Sequence, residues 1–494
     1  MSDYYYVNQT VHLPSTKQEF NTAMLFETHA VTSRLSALPP APFLVPAVLE
    51  SLLMSSQYKG ITSVVPGEAD LYCSQYLSLH GGVVLTGDSD LLVHDLGESG
   101  KVAFFRDLRV QGGNAQSLQS KVYWPSSIAH RLSMPPSHNL TSLAFEMSID
   151  SHIGFKQLVS RARELQSVKN FAPLFEQFCQ DYRTLVSELP SSNDADSALS
   201  VLQSVDPRIS EYMLQFPSIA TLAGCTHERS SLTLTHIFLP FLVDSPTRTS
   251  AWEASTPVRV VAFSVLNLVV PDAERKTIVY EHKKQTDKSQ GRSLLLLSNE
   301  DLPKACSNLT VQISLLRSRL SSQLCNRDFW TAFAVSQDID FANTNLKTAT
   351  IKLVRQQMSS NKLGKTSSWD VIQLFAQIQA SFYSFRMLKQ MLAFVVASAK
   401  SLPKPVIQLK EELTTLSTIA HLQDLSQMSD TLQTLDECRV YEIACDILGI
   451  VVDAPEITEK KKAKLAKKKK KREQAAAVQV HTKSNNPYAL LGID

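Results

Sequence analysis

Apolar and polar positions change their period several times along the chain, and those changes divide it. The segment to Pro42 is polar and closes on Leu38-Pro39-Pro40-Ala41-Pro42, a stiff connector. Beyond it, Val48, Leu49, Leu52 and Leu53 share one face of a helix, and Pro46 suits its first turn. Ile61 to Val65 is a short apolar run that predicts a buried strand. Pro66-Gly67 turns the chain into a second helix, on which Ala69, Tyr72, Cys73, Tyr76 and Leu77 recur at helical spacing until Gly81-Gly82 stop it. Val83 to Thr86 predicts the next strand, ended by Gly87-Asp88-Ser89-Asp90, and Lys101 to Phe105 a further one. Such alternation predicts an α/β fold: a parallel sheet with flanking helices, right-handed crossovers, and a ligand site beyond the carboxyl ends of the strands.

From about Leu140 the pattern turns helical. Ser142 to Arg163 reads as two short helices around Asp150-Ser151, Asn170 to Leu189 as another, and 190–198 as a loop. Leu232 to Leu242 and Val258 to Val270 look strand-like, and 281–292 looks like a polar surface loop. Helices dominate again from Leu302 to Ile450, most clearly over Trp369 to Ser398. Past Asp453 the sequence is low in complexity and is expected to be disordered. The divisions are therefore 1–42 (connector), 43–165 (α/β core), 166–452 (mainly helical) and 453–494 (basic tail).

Composition narrows the classes. With 44% apolar and 19% charged residues, the 494-residue chain can bury real cores. No stretch reaches the roughly 20 apolar residues of a membrane span; the nearest, Met391 to Ala397, reads as a buried helix. The N-terminus lacks the basic-then-apolar pattern of a secretory signal. Seven scattered cysteines form no CxxC pair, which points to free thiols in a reducing compartment. Cys225, His227 and His236 fit no zinc spacing. The net charge of +2 hides an asymmetry: Glu459 to Glu473 holds ten Lys/Arg against two Glu, and the remainder is mildly acidic.

The chemistry concentrates in four carboxylates. Glu68 and Asp70 open the second helix, and Asp88 and Asp90 follow the next strand. If those two ends are neighbours, the four acids share one small space, where like charges either protonate or enclose a cation. Mg²⁺ and Mn²⁺ prefer hard oxygen ligands, and two such ions about 3.5–4 Å apart can stabilise the attacking and leaving oxygens of a phosphodiester. The same residues also make ordinary local structure: Gly-Asp-Ser-Asp is good turn chemistry, and acids in a first helical turn complement the helix dipole.

Val65-Pro66-Gly67-Glu68-Ala69-Asp70 and Val84-Leu85-Thr86-Gly87-Asp88-Ser89-Asp90-Leu91-Leu92-Val93 resemble the internal motif of the XPG/flap-endonuclease superfamily, whose fold is PIN-like. The closest branch is the Asteroid-like proteins, particularly the fungal members. Phe238-Leu239-Pro240-Phe241, Pro246-Thr247-Arg248 and Ser250-Ala251-Trp252 extend the similarity. The resemblance implies that Glu68, Asp70, Asp88 and Asp90 are catalytic metal ligands for Mg²⁺ or Mn²⁺, two ions if the site is complete, and that the partner is nucleic acid, DNA or RNA. It adds Asp150 as a further ligand, ahead of a DNA-anchoring turn whose usual glycines are reduced to Gly154; Asp150 also reads as a cap for a helix starting at Ser151.

The resemblance further implies two acidic strand motifs earlier in the chain, and neither stands before Pro42. The expectation is therefore a sheet with an exposed apolar edge and a metal site short of two ligands. Either the gene product is shortened, or cleavage has been given up and a nucleic-acid or protein scaffold remains. In the tail, Lys460, Lys461, Lys462, Lys464, Lys467, Lys468, Lys469, Lys470, Lys471 and Arg472 form a polycation that fits nuclear import or nucleic-acid tethering. Asn486-Pro487-Tyr488-Ala489-Leu490-Leu491 is either a docking motif for a protein partner or plain end sequence. The expected location is nuclear or cytoplasmic, without a membrane.

Overall fold

The computed structural model describes residues 42–111, 117–150, 152–183, 197–224, 234–283, 291–320, 324–359, 368–419 and 427–451. The expected tail lies outside them, as does the whole segment before Pro42. By their internal contacts the residues form two units, Met1–Ala444 and Cys445–Asp494. Apart from the end of the last helix, the elements below belong to the first.

Its N-terminal part runs α1 (Leu44–Met54), α2 (Ala69–His80), β1 (Gly82–Thr86), β2 (Gly100–Phe104), the hairpin β3 (Arg109–Gln111) and β4 (Ser117–Gln119), then β5 (Val122–Tyr123). The helices α3 (Pro125–Arg131), α4 (Thr141–Ile149), α5 (Phe155–Glu164), α6 (Gln166–Asn170) and α7 (Ala172–Arg183) follow. The sheet order is β1-β2-β5: β1 and β2 are parallel, with Val84 opposite Val102, and β5 is antiparallel to β2. It is thus a small mixed sheet. Leu77 of α2 packs with Leu91, Leu96, Val102 and Phe104 to cover it. On its other side β1 has no strand partner among the described residues, and Val83 and Leu85 stand 51% and 43% exposed.

Two strand assignments fail. Ile61–Val65 forms no strand: Lys59–Ile61 is a 3-10 turn, and Thr62 spends its hydroxyl on the Tyr58 carbonyl at 2.8 Å instead of entering a ladder. Val258–Val270 is a helix, Thr256–Val265, followed by the 3-10 turn Leu266–Leu268. Because almost every side chain there is buried, the apolar run carries no period that separates strand from helix, and Pro257 in the first turn is the surviving cue. Two smaller boundaries also shift. The helix expected from Asn170 begins at Ala172, after the separate turn α6. The strand expected over Leu232–Leu242 is confined to His236–Phe238.

The helical part continues through α8 (Ala198–Leu202), α9 (Pro207–Met213), α10 (Pro217–Leu222), β6 (His236–Phe238), α11 (Thr256–Val265), β7 (Ile278–His282) and β8 (Arg292–Leu295). It ends with α12 (Leu302–Arg319), α13 (Asn326–Thr344), α14 (Thr350–Ser359), α15 (Trp369–Ser398), α16 (Lys404–Glu412), α17 (Met428–Glu437) and α18 (Val440–Ile447). The 30-residue α15 is the centre of this part, where Trp330 and Phe333 of α13 meet its Phe385 at 4.9 and 5.3 Å. Met391 to Ala397 sits within it as a buried helix, and no described helix is long and apolar enough to cross a membrane. Phe43, just ahead of α1, stacks on Tyr383 of α15 at 4.8 Å and so fastens the N-terminal part to this core.

A second correction concerns 281–292, expected as surface loop. Glu281 and His282 end β7, and Arg292 begins β8. Glu281 is fully buried and takes the guanidinium of Arg259 on both oxygens, at 2.5 and 2.9 Å. The remaining Arg259 donors reach the Trp252 carbonyl and the hydroxyls of Ser255, Thr256 and Ser384 at 2.9–3.2 Å, so the buried cation is saturated. Arg259→Met therefore leaves the buried Glu281 to the more distant Lys283 Nζ, at 3.7 Å, and we expect it to lower the unfolding free energy by about 3–5 kcal/mol in urea titrations at neutral pH. A loss below about 1 kcal/mol would show that water replaces the guanidinium.

Candidate functional site

The geometry of the acidic site follows from one chain reversal. Helix α2 has 12 residues, about 18 Å at the α-helical rise, and β1 has five, about 17 Å. Gly81 and Gly82 join them at φ 68° and 112°, and a Cβ at Gly81 would fall 2.4 Å from Ser99 Oγ. Helix and strand are therefore nearly equal in length and packed together, so the start of α2 returns beside the end of β1. Glu68 is the residue preceding α2 and Asp70 lies in its first turn; Asp88 and Asp90 follow Thr86.

Each pair is held by its own backbone. The Asp88 amide donates to Thr86 Oγ1 at 3.0 Å, and the Asp90 amide to Asp88 Oδ1 at 3.0 Å, a turn that opens the 3-10 helix Asp90–Leu92. The Gly67 amide donates to Ser210 Oγ of α9 at 3.0 Å. Gly67 sits at φ 76° with Leu214 Cδ1 2.8 Å from where a Cβ would be, so only glycine fits without strain. The Glu68/Asp70 turn is thus fixed by the helical part, not by a preceding strand.

Electrostatics show the convergence. Asp70 is pushed up to about 7, first by burial and then by the charges of Asp88, Glu68 and Asp90 in that order. Near neutrality the site therefore keeps a proton that ordinary carboxylates lose. The Cys73 thiol, one helical turn on, is raised by burial and then by Asp70. His94, 7% exposed, is lowered to about 4 chiefly by burial, against a hydrogen bond to the Tyr182 backbone and the negative charge of Asp88. Its Nδ1 has no hydrogen-bond partner, and its ring meets that of Tyr182 at 5.1 Å. Sequence reading passed over His94, whose one cue was its place four residues beyond Asp90.

Asp150 directly follows α4. It is not among the charges acting on Asp70, and its carboxylate accepts the His152 amide at 3.1 Å. Nor does it cap a helix at Ser151: the next helix, α5, begins at Phe155 behind Gly154. The Lys/Arg positions of the tail, 460–472, lie outside the described residues.

As a cation site the cluster fits in charge and hardness, but not as a closed cage. Among the described residues no three Asp, Glu, His or Cys side chains stand ready around one ion. What exists is a concentration of negative charge partly relieved by a proton.

Comparison with known proteins settles the family. A family described as XPG domain containing matches residues 40–296, just over half of the chain. The chain belongs to the XPG domain-containing family. No curated protein and no solved structure matches it. The matched span takes in the sheet, the acidic turns and α9, which carries the anchor for Gly67.

The raised Asp70 sets a stability signature for this XPG-domain protein. Its folded pKa lies above the unfolded value of 3.8, so this group's contribution is fully present below about pH 4 and is lost as pH rises through about 7. Without divalent cations, Asp70→Asn should be more stable than wild type at pH 8 and should show a smaller fall in denaturation midpoint between pH 5 and pH 8. Equal pH dependence in the two proteins would mean the carboxylates do not press on Asp70.

Proposed function

We propose that this XPG-domain protein acts on nucleic-acid phosphodiesters with Mg²⁺ or Mn²⁺ held among Glu68, Asp70, Asp88 and Asp90. The observation that carries this reading is the crowding at Asp70: burial first, then the charges of Asp88, Glu68 and Asp90, raise its pKa to about 7, and a divalent cation would relieve that crowding. A cation bound there supplies polarisation of a phosphoryl oxygen and an acidified water. The chain's own work is to hold the acids against their repulsion and to fix both turns. Burial of His94 keeps its imidazole neutral beside Asp88, so it adds no positive charge that would compete with the ion. The motifs around both acid pairs support a place near the Asteroid-like branch.

Few side chains per ion suit Mg²⁺, which usually binds through one or two carboxylates, several waters and a substrate phosphate. Cation and nucleic acid then bind cooperatively, each completing the other's site. The polycation Lys460–Arg472 supplies a salt-dependent grip on the phosphate backbone and fits a nuclear-import signal, and 486–491 offers an apolar docking segment to a protein partner. Asp150 stays a candidate further ligand on this reading, by the resemblance that named it.

A second reading has its own observation. The lack of a three-ligand cluster among the described residues favours a non-catalytic scaffold that grips nucleic acid without cutting it. The two readings part in one assay: cleavage of flapped, bubble and single-stranded substrates in Mg²⁺ by wild type and Asp88→Ala. We expect cutting by wild type and a loss of about a hundredfold in the variant. Equal cutting by both would discard the metal assignment. Binding that Mg²⁺ strengthens, with no cutting by wild type, would establish the scaffold. In either case, removing residues 459–473 should flatten the dependence of affinity on salt, measured by fluorescence anisotropy; an unchanged slope would take the tail out of binding.

A further inference from the structure

Away from the acids, a cavity of about 250 Å³ opens where α1, the turn after α8, α15 and residues 416–418 meet. Its acceptors are spoken for. Glu50 pairs through one oxygen with Arg386 and accepts the Ile419 amide on the other at 2.7 Å. The Gln390 carbonyl oxygen takes the Asp206 amide at 2.9 Å, and the Leu416 carbonyl takes Lys389 Nζ at 3.1 Å.

The donors are not. An ammonium carries three N–H groups, and Lys389 uses one, on a neutral carbonyl. Among the described residues it makes no ion pair, whereas Arg386 beside it has both Glu50 and, at 3.5 Å, Asp206. The amide nitrogen of Gln390 and the hydroxyl of Ser417 have no hydrogen-bond partner among the described residues. Burial, then the Arg386 charge, lowers the Lys389 pKa, with Glu50 opposing; the ammonium is short of compensating charge. Val201, Val205, Ala393 and Leu416 give the wall an apolar stretch, beside Ser204 and Thr418.

A half-buried cation with spare donors facing an apolar wall calls for a ligand that is an acceptor at one end and a hydrocarbon at the other. The volume exceeds that of a bare phosphate and lies just under the usual range for small-molecule sites, roughly 300–1,000 Å³. We propose that this cavity binds a small organic oxyanion, its charged head on Lys389, Gln390 and Ser417 and its carbon body against Val205 and Ala393. Such a ligand would join α1 to α15, adding to the Glu50–Arg386 and Phe43–Tyr383 contacts that already hold the N-terminal part in place. The inference does not depend on the acidic site.

The test uses the full chain and calorimetric titration with n-butyl phosphate, n-butyrate, inorganic phosphate and n-butanol. At least one of the two organic anions should bind more tightly than inorganic phosphate, and n-butanol should not bind. The tighter of the two assigns the head group as phosphate or carboxylate. Lys389→Met, which keeps the apolar stem, should weaken binding about tenfold or more, and Ser417→Ala several-fold. Ser417→Ala removes only a hydroxyl without a partner, so it keeps the test decisive should Lys389→Met fail to fold. Binding of n-butanol equal to n-butyl phosphate, unchanged affinity in the Ser417 variant, or no binding of either organic anion would overturn the proposal.

Discussion

Four carboxylates at one end of a helix–strand return repel one another, and the N-terminal part of this protein is arranged around that repulsion. The return is set by length: α2 and β1 match to within about an ångström or two, and two left-handed glycines let them turn back without a wider loop. Once the lengths match, Glu68, Asp70, Asp88 and Asp90 have nowhere else to be. Burial and the three neighbouring charges raise the Asp70 pKa to about 7. The site is thus defined first as an electrostatic field and only second as a set of ligands.

That field would relax if either turn could move. The 88–90 turn is fixed locally, by Thr86 Oγ1 and Asp88 Oδ1. The 67–70 turn is fixed from far along the chain, because Gly67 hangs on Ser210 of α9. Asp206, which caps α9 through the Arg208 amide, faces Arg386 of α15, and Arg386 in turn holds Glu50 of α1. A connected run of contacts therefore links the acidic turn to the long central helix and back to the helix that precedes the turn. The helical part is the support that substitutes for a strand beneath Glu68 and Asp70.

Much of this was legible in the sequence where local rules govern. Pro46, the α2 periodicity, Gly81-Gly82 and the Asp-Ser-Asp turn each carry their own chemistry, and β1, β2, α4, α5 and α15 follow from pattern alone. The failures share a cause. Ile61–Val65 has strand composition, but a strand needs a ladder partner, and Thr62 turns back on Tyr58 instead. Val258–Val270 is buried on all sides and shows no periodicity to read. Glu281 stands in a polar run and looks like surface, yet Arg259, 22 residues earlier, draws it fully inside. His94 became visible only once the packing of Tyr182 against it was known. Within the site, the four acids could be named from sequence, whereas Asp150 rested on the resemblance alone.

The shortfall of ligands bears on how such a site works. A cage of four preformed ligands would bind Mg²⁺ tightly whether or not nucleic acid is present. A field of four acids that offers few ligands to any one position would, on the proposed reading, bind an ion weakly until a phosphate arrived with more oxygens. On the proposed reading, the raised pKa of Asp70 would limit the repulsion among the acids, and a bound cation would relieve it in turn. That exchange would depend on both turns keeping their places. The buried neutral imidazole of His94 is consistent with that exchange, since a second positive charge beside Asp88 would satisfy the acids before any cation could.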